Sequence, residues 1–501
     1  MSGGRRAGIS VPLFSLRSTR GWGIGEIGDL PAIADWLRSA YQSVLQILPL
    51  NELAPDELSP YSPLSAMAID PQFISLWMID GIGIDRETAQ EIEIARRAPR
   101  IDYRRVRLLK KRALREAFQR FVEIAWRRDN AEAVALREYI AREDWWLDEY
   151  ALYRALRHES GERSWTEWPV ELRDRDPEAL AAARERLADQ VLFYQYVQWI
   201  AAAQWQSMRR HLDGVEVVGD CPFMVTRDSA DVWSRRSDFL LDASVGTPPD
   251  AFSETGQEWG LPPYDWEAAR RNDFEWLRMR ARRLADLYDG FRVDHLVGFY
   301  RTYVRPLNGD APHFIPATEA EQTGLGETVL RIFAGTGADV SVEDLGTIPD
   351  FVRDSIARLG LPGYKVLRWE HDDPRLFPPM SVAMTGTHDT DTVAEWWNTL
   401  PIAERKRFGF ESPFDPTVLN GILSLLYNAG SNVVLLPIQD AFGWRDRINL
   451  PGTIGDANWT FVLPWPIDRA GDQPLAREGA ERLAELSYRT GRWNPSLEQD
   501  E

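Results

Sequence analysis

Eight short apolar segments recur along the chain, and amphipathic stretches separate most of them. The segments are residues 8–16, 43–50, 215–220, 290–296, 338–345, 363–369, 382–389 and 432–440. Apolar runs that alternate with helical patterns are typical of parallel strands joined by helical crossovers. Eight such strands predict an α/β chain folded as a (β/α)8, or TIM, barrel, in which helices surround a closed ring of strands.

The chain changes character between the second and third segments. Apolar residues recur there at helical spacing with charged faces, in residues 105–128, 144–157 and 177–211. We therefore expect a large helical insertion subdomain at residues 82–211, within a single catalytic barrel that occupies residues 1–501. No separate C-terminal β domain is expected.

Composition narrows the range of partners and cofactors. The 58 basic and 77 acidic residues give a net charge of −19, which disfavours binding to nucleic acid or to anionic membranes. No apolar run is long enough to span a bilayer, and a single cysteine, Cys221, allows no internal disulfide. Six histidines without a zinc-binding pattern argue against a metal. We expect a cytoplasmic protein without a metal.

Three carboxylates stand where predicted strands end: Asp294, Glu343 and Asp389. In a closed barrel these ends converge on one mouth, where barrel enzymes carry out their chemistry. Glycosyl transfer with retention needs a carboxylate nucleophile and a carboxylic acid about 5 to 5.5 Å away. The third acid, Asp389, is expected to bind sugar hydroxyls, with His388 and His295 donating hydrogen bonds beside it.

Neighbouring charges indicate how the first two acids divide these roles. Arg292 and Asp294 lie two residues apart on a strand and therefore face the same way. The arginine is expected to lower the pKa of Asp294 and keep it ionised as the nucleophile. The negative charge of Asp294 is in turn expected to raise the pKa of Glu343 toward that of a general acid.

Other interpretations of the same residues remain open at this point. Arg292 and Asp294 could form a structural ion pair, and Glu343 with Asp344 could form an acidic loop that binds a divalent cation. A phosphate site at residues 450–455 has little support, because the glycines there are few. The 21 tryptophans favour a carbohydrate ligand weakly, since flat aromatic faces suit sugar rings.

An ordered set of motifs runs through nearly the whole predicted barrel. The motifs are SPYSP at 59–63, GD at 219–220, DSADVW at 228–233, GTPPDAFSETGQEWG at 246–260, RVDH at 292–295, EDLG at 343–346, THD at 387–389, RINLPGT at 447–453 and NW at 458–459. This set resembles the 4-α-glucanotransferases called amylomaltases or disproportionating enzymes.

The resemblance implies roles for individual residues. It makes Asp294 the nucleophile, Glu343 the acid/base and Asp389 the transition-state stabiliser. It also implies a lid-like loop at residues 246–264 and no cofactor. The residues implied to line the glucan subsites are Tyr61, Asp220, Gln257, Trp259, Arg292, His295, His388 and Asn458.

The expected reaction is transfer of α-1,4-glucan segments between chains through a covalent glycosyl-Asp intermediate. Donor and acceptor are maltooligosaccharides, starch or glycogen, and the oligomeric state stays open. The alternatives are an α-glucan hydrolase of the same mechanism, a non-catalytic glucan-binding protein and a metal-dependent barrel enzyme. Departures from the family pattern at Leu261, Thr390 and residues 304–330 bear on acceptor subsites and chain length, not on the three acids.

Overall fold

Parallel strands close into a ring at the centre of the molecule. The computed structural model describes residues 4–249, 256–453, 455 and 457–493. The strands of this part are β1 (Arg6–Ser10), β2 (Val44–Gln46), β3 (Glu216–Cys221), β4 (Ala243–Thr247), β5 (Gln257–Glu258), β6 (Gly290–Val293), β7 (Thr302–Pro306), β8 (His313–Ile315), β9 (Asp339–Val342), β10 (Gly363–Val366), β11 (Ser381–Met384) and β12 (Val433–Pro437). Eight of them form a closed barrel in the order β1-β12-β11-β10-β9-β6-β3-β2. The predicted (β/α)8 fold is confirmed.

Helices occupy most connections between the barrel strands. They are α1 (Leu30–Ser39), α2 (Arg86–Arg97), α3 (Tyr103–Ile124), α4 (Ala131–Glu159), α5 (Val170–Arg173), α6 (Pro177–Arg186), α7 (Ala188–Arg209), α8 (Ala230–Ser234), α9 (Trp266–Arg271), α10 (Glu275–Leu287), α11 (Val297–Tyr300), α12 (Glu319–Ala334), α13 (Asp350–Leu359), α14 (Val393–Thr399), α15 (Ile402–Arg407), α16 (Pro416–Tyr427), α17 (Ile438–Phe442) and α18 (Pro474–Arg489). Helix α13 shows why these segments are helical. It buries Val352 and Ile356 on one face and ends at Gly360, whose φ of 66° suits a glycine C-cap.

Strand register aligns the polar residues at one end of the barrel. Strand β3 pairs with β6 so that Asp220 lies opposite Arg292, and the last residues of β6 and β9 lie opposite each other. Asp294 and Glu343 each come one residue after those strand ends, and Asp389 follows β11. The parallel register therefore gathers the three acids at the carboxyl end of the barrel.

The segment between β2 and β3 contains helices α2 to α7, and a buried ion pair joins it to the barrel. Lys110 on α3 lies 2.7 Å from the Glu26 carboxylate, and both side chains are essentially without solvent exposure. The same Nζ donates hydrogen bonds to the carbonyls of Gln72 at 2.6 Å and Ile74 at 2.8 Å. Burial and the charge of Glu26 raise the pKa of nearby Asp29 to about 7. Lys110 is therefore the cation that compensates a buried acidic pair.

Replacing Lys110 with methionine is expected to lower the free energy of unfolding by about 3–5 kcal/mol, because Glu26 stays buried without its cation. Urea unfolding followed by circular dichroism measures this change. The matched control is Lys111→Met at the next position, which is exposed and should change stability by less than about 0.5 kcal/mol. If the Lys110→Met and Lys111→Met variants are equally stable, the free-energy cost of desolvating Lys110 and Glu26 cancels their electrostatic attraction.

A second sheet stands beside the barrel, which the sequence did not predict. It is antiparallel, with strand order β5-β4-β7-β8. The expected lid at residues 246–264 begins within β4 and includes β5, and residues 250–255 of that loop lie outside the described part. Strand β4 pairs with β7, so the described part of the loop is hydrogen-bonded to the hairpin that follows α11. In the described ranges, no helix has the length and apolar character needed to cross a bilayer.

Candidate active site

A buried arginine lies at the centre of the acidic residues. The Nη1 atom of Arg292 lies 2.6 Å from Oδ2 of Asp220. Its Nη2 atom lies 2.9 Å from Oδ1 of Asp294 and 2.9 Å from Oε2 of Glu343. Only 4% of the arginine side chain is exposed, so this contact is shielded from water. The guanidinium therefore forms ion pairs with three carboxylates, which lie on or directly after three neighbouring strands.

These distances limit the separation of the two central acids. Because the Asp294 and Glu343 oxygens each lie 2.9 Å from the same nitrogen, they are at most twice that distance, 5.8 Å, apart. Carboxyl pairs about 5 to 5.5 Å apart are characteristic of retaining glycosidases, whereas inverting enzymes need about 6.5 to 9.5 Å. The facing oxygens thus fit attack by one carboxylate and proton transfer by the other.

The pKa values of Asp294 and Glu343 shift in the directions opposite to our expectation. Burial raises the pKa of Asp294 well above its usual value; Arg292 opposes this shift, and the charges of Glu343 and Asp220 add to it. Burial also acts on Glu343, but Arg292 and the backbone N–H of His295, at 2.8 Å, lower its pKa. The expectation failed because Arg292 is shared among three acids and Glu343 gains an additional donor. Asp294 is therefore the acid of this pair whose pKa the surroundings raise.

Asp389 is held as an anion by its neighbours. Burial opposes its ionisation, but His388 and Asn449 outweigh that effect and lower the pKa of Asp389 to about 2. Nε2 of His388 lies 3.2 Å from Oδ2, and Nδ2 of Asn449 donates to Oδ1 at 2.6 Å. Arg447 donates to the Asp389 backbone carbonyl at 2.9 Å. A carboxylate that is ionised at neutral pH can accept hydrogen bonds from sugar hydroxyls and stabilise positive charge.

Aromatic rings border the acidic cluster. The Tyr61 hydroxyl donates to Oδ2 of Asp220 at 2.8 Å, and the Tyr61 ring stacks on His388 with centroids 5.2 Å apart. On another side, Trp259 meets His295 edge to face at 4.9 Å and donates to Oε1 of Gln257 at 3.2 Å. Ring contacts thus join Tyr61 to His388 and Trp259 to His295 within the predicted site.

One predicted site residue, Asn458, contacts its own loop, and two residues that the prediction did not include lie at the acidic cluster. The Asn458 side chain accepts from Leu450 N at 3.0 Å and donates to Thr453 O at 3.0 Å, so its amide holds the adjacent loop. The neighbouring Trp459 instead reaches the cluster, 6.0 Å from the Tyr61 ring. Asn449, which contacts Asp389, was also missed. Both missed residues lie in the motifs at 447–453 and 458–459, which was the available signal.

The acidic-loop interpretation of Glu343 and Asp344 finds no geometric support. Asp344 accepts from Tyr364 N at 2.7 Å and lies 3.3 Å from Arg353, whereas Glu343 faces Arg292. Among the side chains that the structure describes, no three histidine, cysteine, aspartate or glutamate residues are arranged to hold a metal ion. The carboxylates of Glu343 and Asp344 therefore contact different groups.

Comparison with known proteins adds independent evidence. A family model described as 4-alpha-glucanotransferase matches residues 11–466. The curated 4-alpha-glucanotransferase of Chlamydia pneumoniae is 31% identical, over 91% of this chain and 90% of its own length. That of Thermus thermophilus is 32% identical, over 88% of this chain and 92% of its own length. Among solved structures, the amylomaltase from Streptococcus agalactiae in complex with acarbose superposes with a TM-score of 0.84 at 26% identity, covering 98% of this chain and 100% of that one.

A second solved structure, the amylomaltase from Corynebacterium glutamicum, supports the fold alone. Its TM-score is 0.78 at 22% identity, covering 96% of this chain and 75% of that one. The resemblance found in the motifs, the predicted glucan transfer and the predicted enzyme class are confirmed by the family match and the relatives. The chain belongs to the 4-alpha-glucanotransferase family.

Proposed function

We propose that this enzyme transfers α-1,4-glucan segments by a retaining double displacement in which Asp294 is the nucleophile and Glu343 the acid/base. The observation that carries the proposal is the single Arg292 nitrogen, 2.9 Å from each of the two carboxylates. That contact keeps both acids within reach of one glycosidic linkage. Asp389, ionised and aligned by Asn449, stabilises the positive charge that develops on the sugar ring.

Each half-reaction transfers one proton and exchanges one bond at the anomeric carbon. In the first, an Asp294 oxygen attacks C1, the C1–O bond to the leaving glucan breaks, and Glu343 protonates the departing oxygen. The product is a β-glycosyl ester of Asp294. In the second, Glu343 removes the proton from an acceptor 4-hydroxyl, that oxygen attacks C1, and the ester bond breaks to release the Asp294 carboxylate.

Catalysis requires the shared proton on Glu343, whereas the surroundings raise the pKa of Asp294 and lower that of Glu343. Because the two acids interact strongly, they titrate as a pair that carries one proton over a range of pH. A bound glucan places the glycosidic oxygen, a proton acceptor, beside Glu343 and the electron-poor C1 beside Asp294. Substrate binding therefore favours the arrangement that reacts.

The pH dependence of kcat/KM should report the raised pKa of Asp294. The pair must keep one proton to protonate the leaving oxygen, so kcat/KM falls as pH rises through the pKa at which that proton is lost, which lies above the usual aspartate pKa of about 3.9. Initial rates of glucose release from maltotriose at constant ionic strength measure the profile, and circular dichroism at each pH confirms folding. An alkaline limb at or below the ordinary aspartate value, in a folded enzyme, contradicts the raised pKa.

Water exclusion decides between transfer and hydrolysis of the intermediate. We propose that residues 246–264 form a lid over the bound glucan, supported by the contact of Trp259 with His295 and by the pairing of β4 with β7. Tyr61 then offers its ring as a stacking platform for a glucosyl unit. Donor and acceptor in this proposal are maltooligosaccharides, starch or glycogen chains.

Incubation with purified maltotriose tests transfer directly. Chromatography of the products should show glucose with maltopentaose and longer chains, because one maltotriose donates maltosyl to another. Formation of maltose and glucose alone identifies a hydrolase. No change in maltotriose identifies a different sugar substrate or a binding protein.

The organisation of the chain is a further part of the proposal. Residues 82–211 act as an insertion within one catalytic unit. Two contacts with residues that precede the insertion support this: Lys110 pairs with Glu26, and the Tyr150 hydroxyl donates to Glu52. The single cysteine, Cys221, is buried, which supports a cytoplasmic location.

A further inference from the structure

The turn between β6 and α11 contains a residue in an uncommon backbone conformation. His295 has a φ of 44°, in the left-handed region that residues other than glycine seldom occupy. It directly follows Asp294, and its backbone N–H donates to Oε2 of Glu343 at 2.8 Å. Its carbonyl accepts from the N–H of Gly298 in α11 at 2.9 Å. The strained residue of the turn is thus the one that contacts the acid.

Two aromatic side chains pack against the His295 ring. Phe223, in the loop after β3, meets it edge to face with centroids 5.4 Å apart, and Trp259 meets it in the same way at 4.9 Å. Phe223 is 3% exposed and lies tightly against α11, because a Cβ atom added at Gly298 would be 2.5 Å from its Cζ. The imidazole is therefore held from two sides, which restricts the backbone that carries it.

Two donors contact the same oxygen of Glu343. Nη2 of Arg292 lies 2.9 Å from Oε2, and the backbone nitrogen of His295 lies 2.8 Å from it. Both donors favour negative charge on Oε2. A proton on this carboxyl is therefore more stable on Oε1, which becomes the oxygen that can donate it.

The charged and titratable groups that face Glu343 are Arg292, Asp294, His295 and Asp389. Burial opposes ionisation of Glu343, but Arg292 and then the His295 N–H act in the other direction, and its pKa is lowered. Burial lowers the pKa of the His295 ring, so the ring is neutral at pH 7. The effect of His295 on the acid is therefore carried mainly by its backbone N–H.

We propose that His295 is a positioning residue for the acid/base, and that it acts through its backbone N–H rather than through its ring. Packing of the ring against Phe223 and Trp259 holds the left-handed backbone, and the N–H then fixes Glu343. With Oε2 fixed, Oε1 is presented to the departing glucan oxygen. The inference deepens the proposed function, since it takes Glu343 as the acid/base.

A pair of substitutions at His295 separates its backbone from its ring. Both His295→Asn and His295→Val remove the imidazole, but asparagine readily adopts a left-handed backbone, whereas a β-branched valine does not. The readout is the rate of glycosyl-enzyme formation from maltotriosyl fluoride, whose leaving group needs no proton, divided by the rate of maltotriose turnover. We expect the native ratio in His295→Asn and a ratio raised at least about tenfold in His295→Val.

The pH profile gives a second readout of the same variants. Loss of a donor to the Glu343 carboxylate raises the pKa at which the pair loses its proton. The alkaline limb of kcat/KM for maltotriose should therefore move upward by about 1 pH unit in His295→Val and stay in place in His295→Asn. Circular dichroism at each pH confirms that the variants are folded.

A substitution at Phe223 tests the packing without changing His295. Phe223→Leu removes the edge-to-face contact and should raise the donor ratio and the alkaline limb in the same directions as His295→Val. The matched control is Phe333→Leu, a buried ring that packs on Phe299 with centroids 5.5 Å apart. Both readouts should keep their native values in this control. This pair decides the question alone if His295→Val does not fold.

The contrary results are equally specific. Equal changes in His295→Asn and His295→Val would assign the effect to the imidazole and overturn the backbone role. Native values of both readouts in Phe223→Leu, or equal changes in Phe223→Leu and Phe333→Leu, would overturn the role of the packing. The proposed function would stand in each case, because it fails only if Glu343→Gln itself loses the same activity on both donors.

Discussion

Replacing Asp294 with asparagine is expected to lower kcat for glucan transfer by at least about 10⁴-fold, because the amide cannot form the glycosyl ester. The side chain keeps its shape and its place beside Arg292, so binding of maltotriose should survive. Steady-state rates of glucose release from maltotriose measure the loss. A variant with near-normal kcat would show that another group is the nucleophile.

The matched control for this variant is Asp354→Asn. Asp354 lies on the exposed face of α13. The same chemical change there should leave kcat within about twofold of the native value, since surface substitutions change stability by less than about 0.5 kcal/mol. A comparable loss in both variants would indicate a general effect on folding rather than on the reaction.

Replacing Glu343 with glutamine is expected to lower kcat for maltotriose by about 10²- to 10⁴-fold, the usual contribution of general acid–base catalysis. The departing glucan oxygen then leaves without a proton. A maltotriosyl fluoride donor needs no proton on its leaving group, so formation of the glycosyl-enzyme from the fluoride should be far less affected. Rapid-quench measurement of fluoride release against maltotriose turnover separates the two effects.

Asp344→Asn is the control for Glu343→Gln. Asp344 is the adjacent carboxylate, but its partners are Tyr364 N and Arg353 rather than Arg292. The folded Asp344→Asn enzyme should therefore use maltotriose and the fluoride with an unchanged ratio of rates. An equal loss on both donors in Glu343→Gln would contradict its assignment as the acid.

The barrel and its catalytic end could be predicted because their signals are local. Each barrel strand is a short apolar run, and Asp294, Glu343 and Asp389 come directly after three of them or their loops. A closed parallel barrel then forces such residues to one end. The three acids were therefore predictable from strand order alone.

Features that depend on long-range contacts were not predictable. Strand β7 follows α11 closely and pairs with β4, a partner about 60 residues earlier, which no local pattern reveals. Trp459 adopts φ of 62° and turns its ring toward Tyr61 and His388, a placement that depends on the surrounding loop. The side chain of the neighbouring Asn458 is polar, but its hydrogen bonds go to the adjacent loop.

The directions of the pKa shifts of Asp294 and Glu343 could not be predicted for the same reason. From sequence, Arg292 has one visible acidic neighbour, Asp294. In the fold, register also brings Asp220 and Glu343 to the same guanidinium, and the His295 N–H favours ionised Glu343. One cation cannot neutralise three buried acids, so burial prevails and raises the pKa of Asp294.

Identification of the covalent intermediate tests the central claim most directly. The Glu343→Gln variant should react with maltotriosyl fluoride and then stall, because the acceptor hydroxyl lacks its base. Mass spectrometry of the quenched protein should show one added maltotriosyl group, and peptide mapping should place it on Asp294. A label on Asp389 or on any other residue, or turnover of the fluoride without a covalent adduct, would contradict the account.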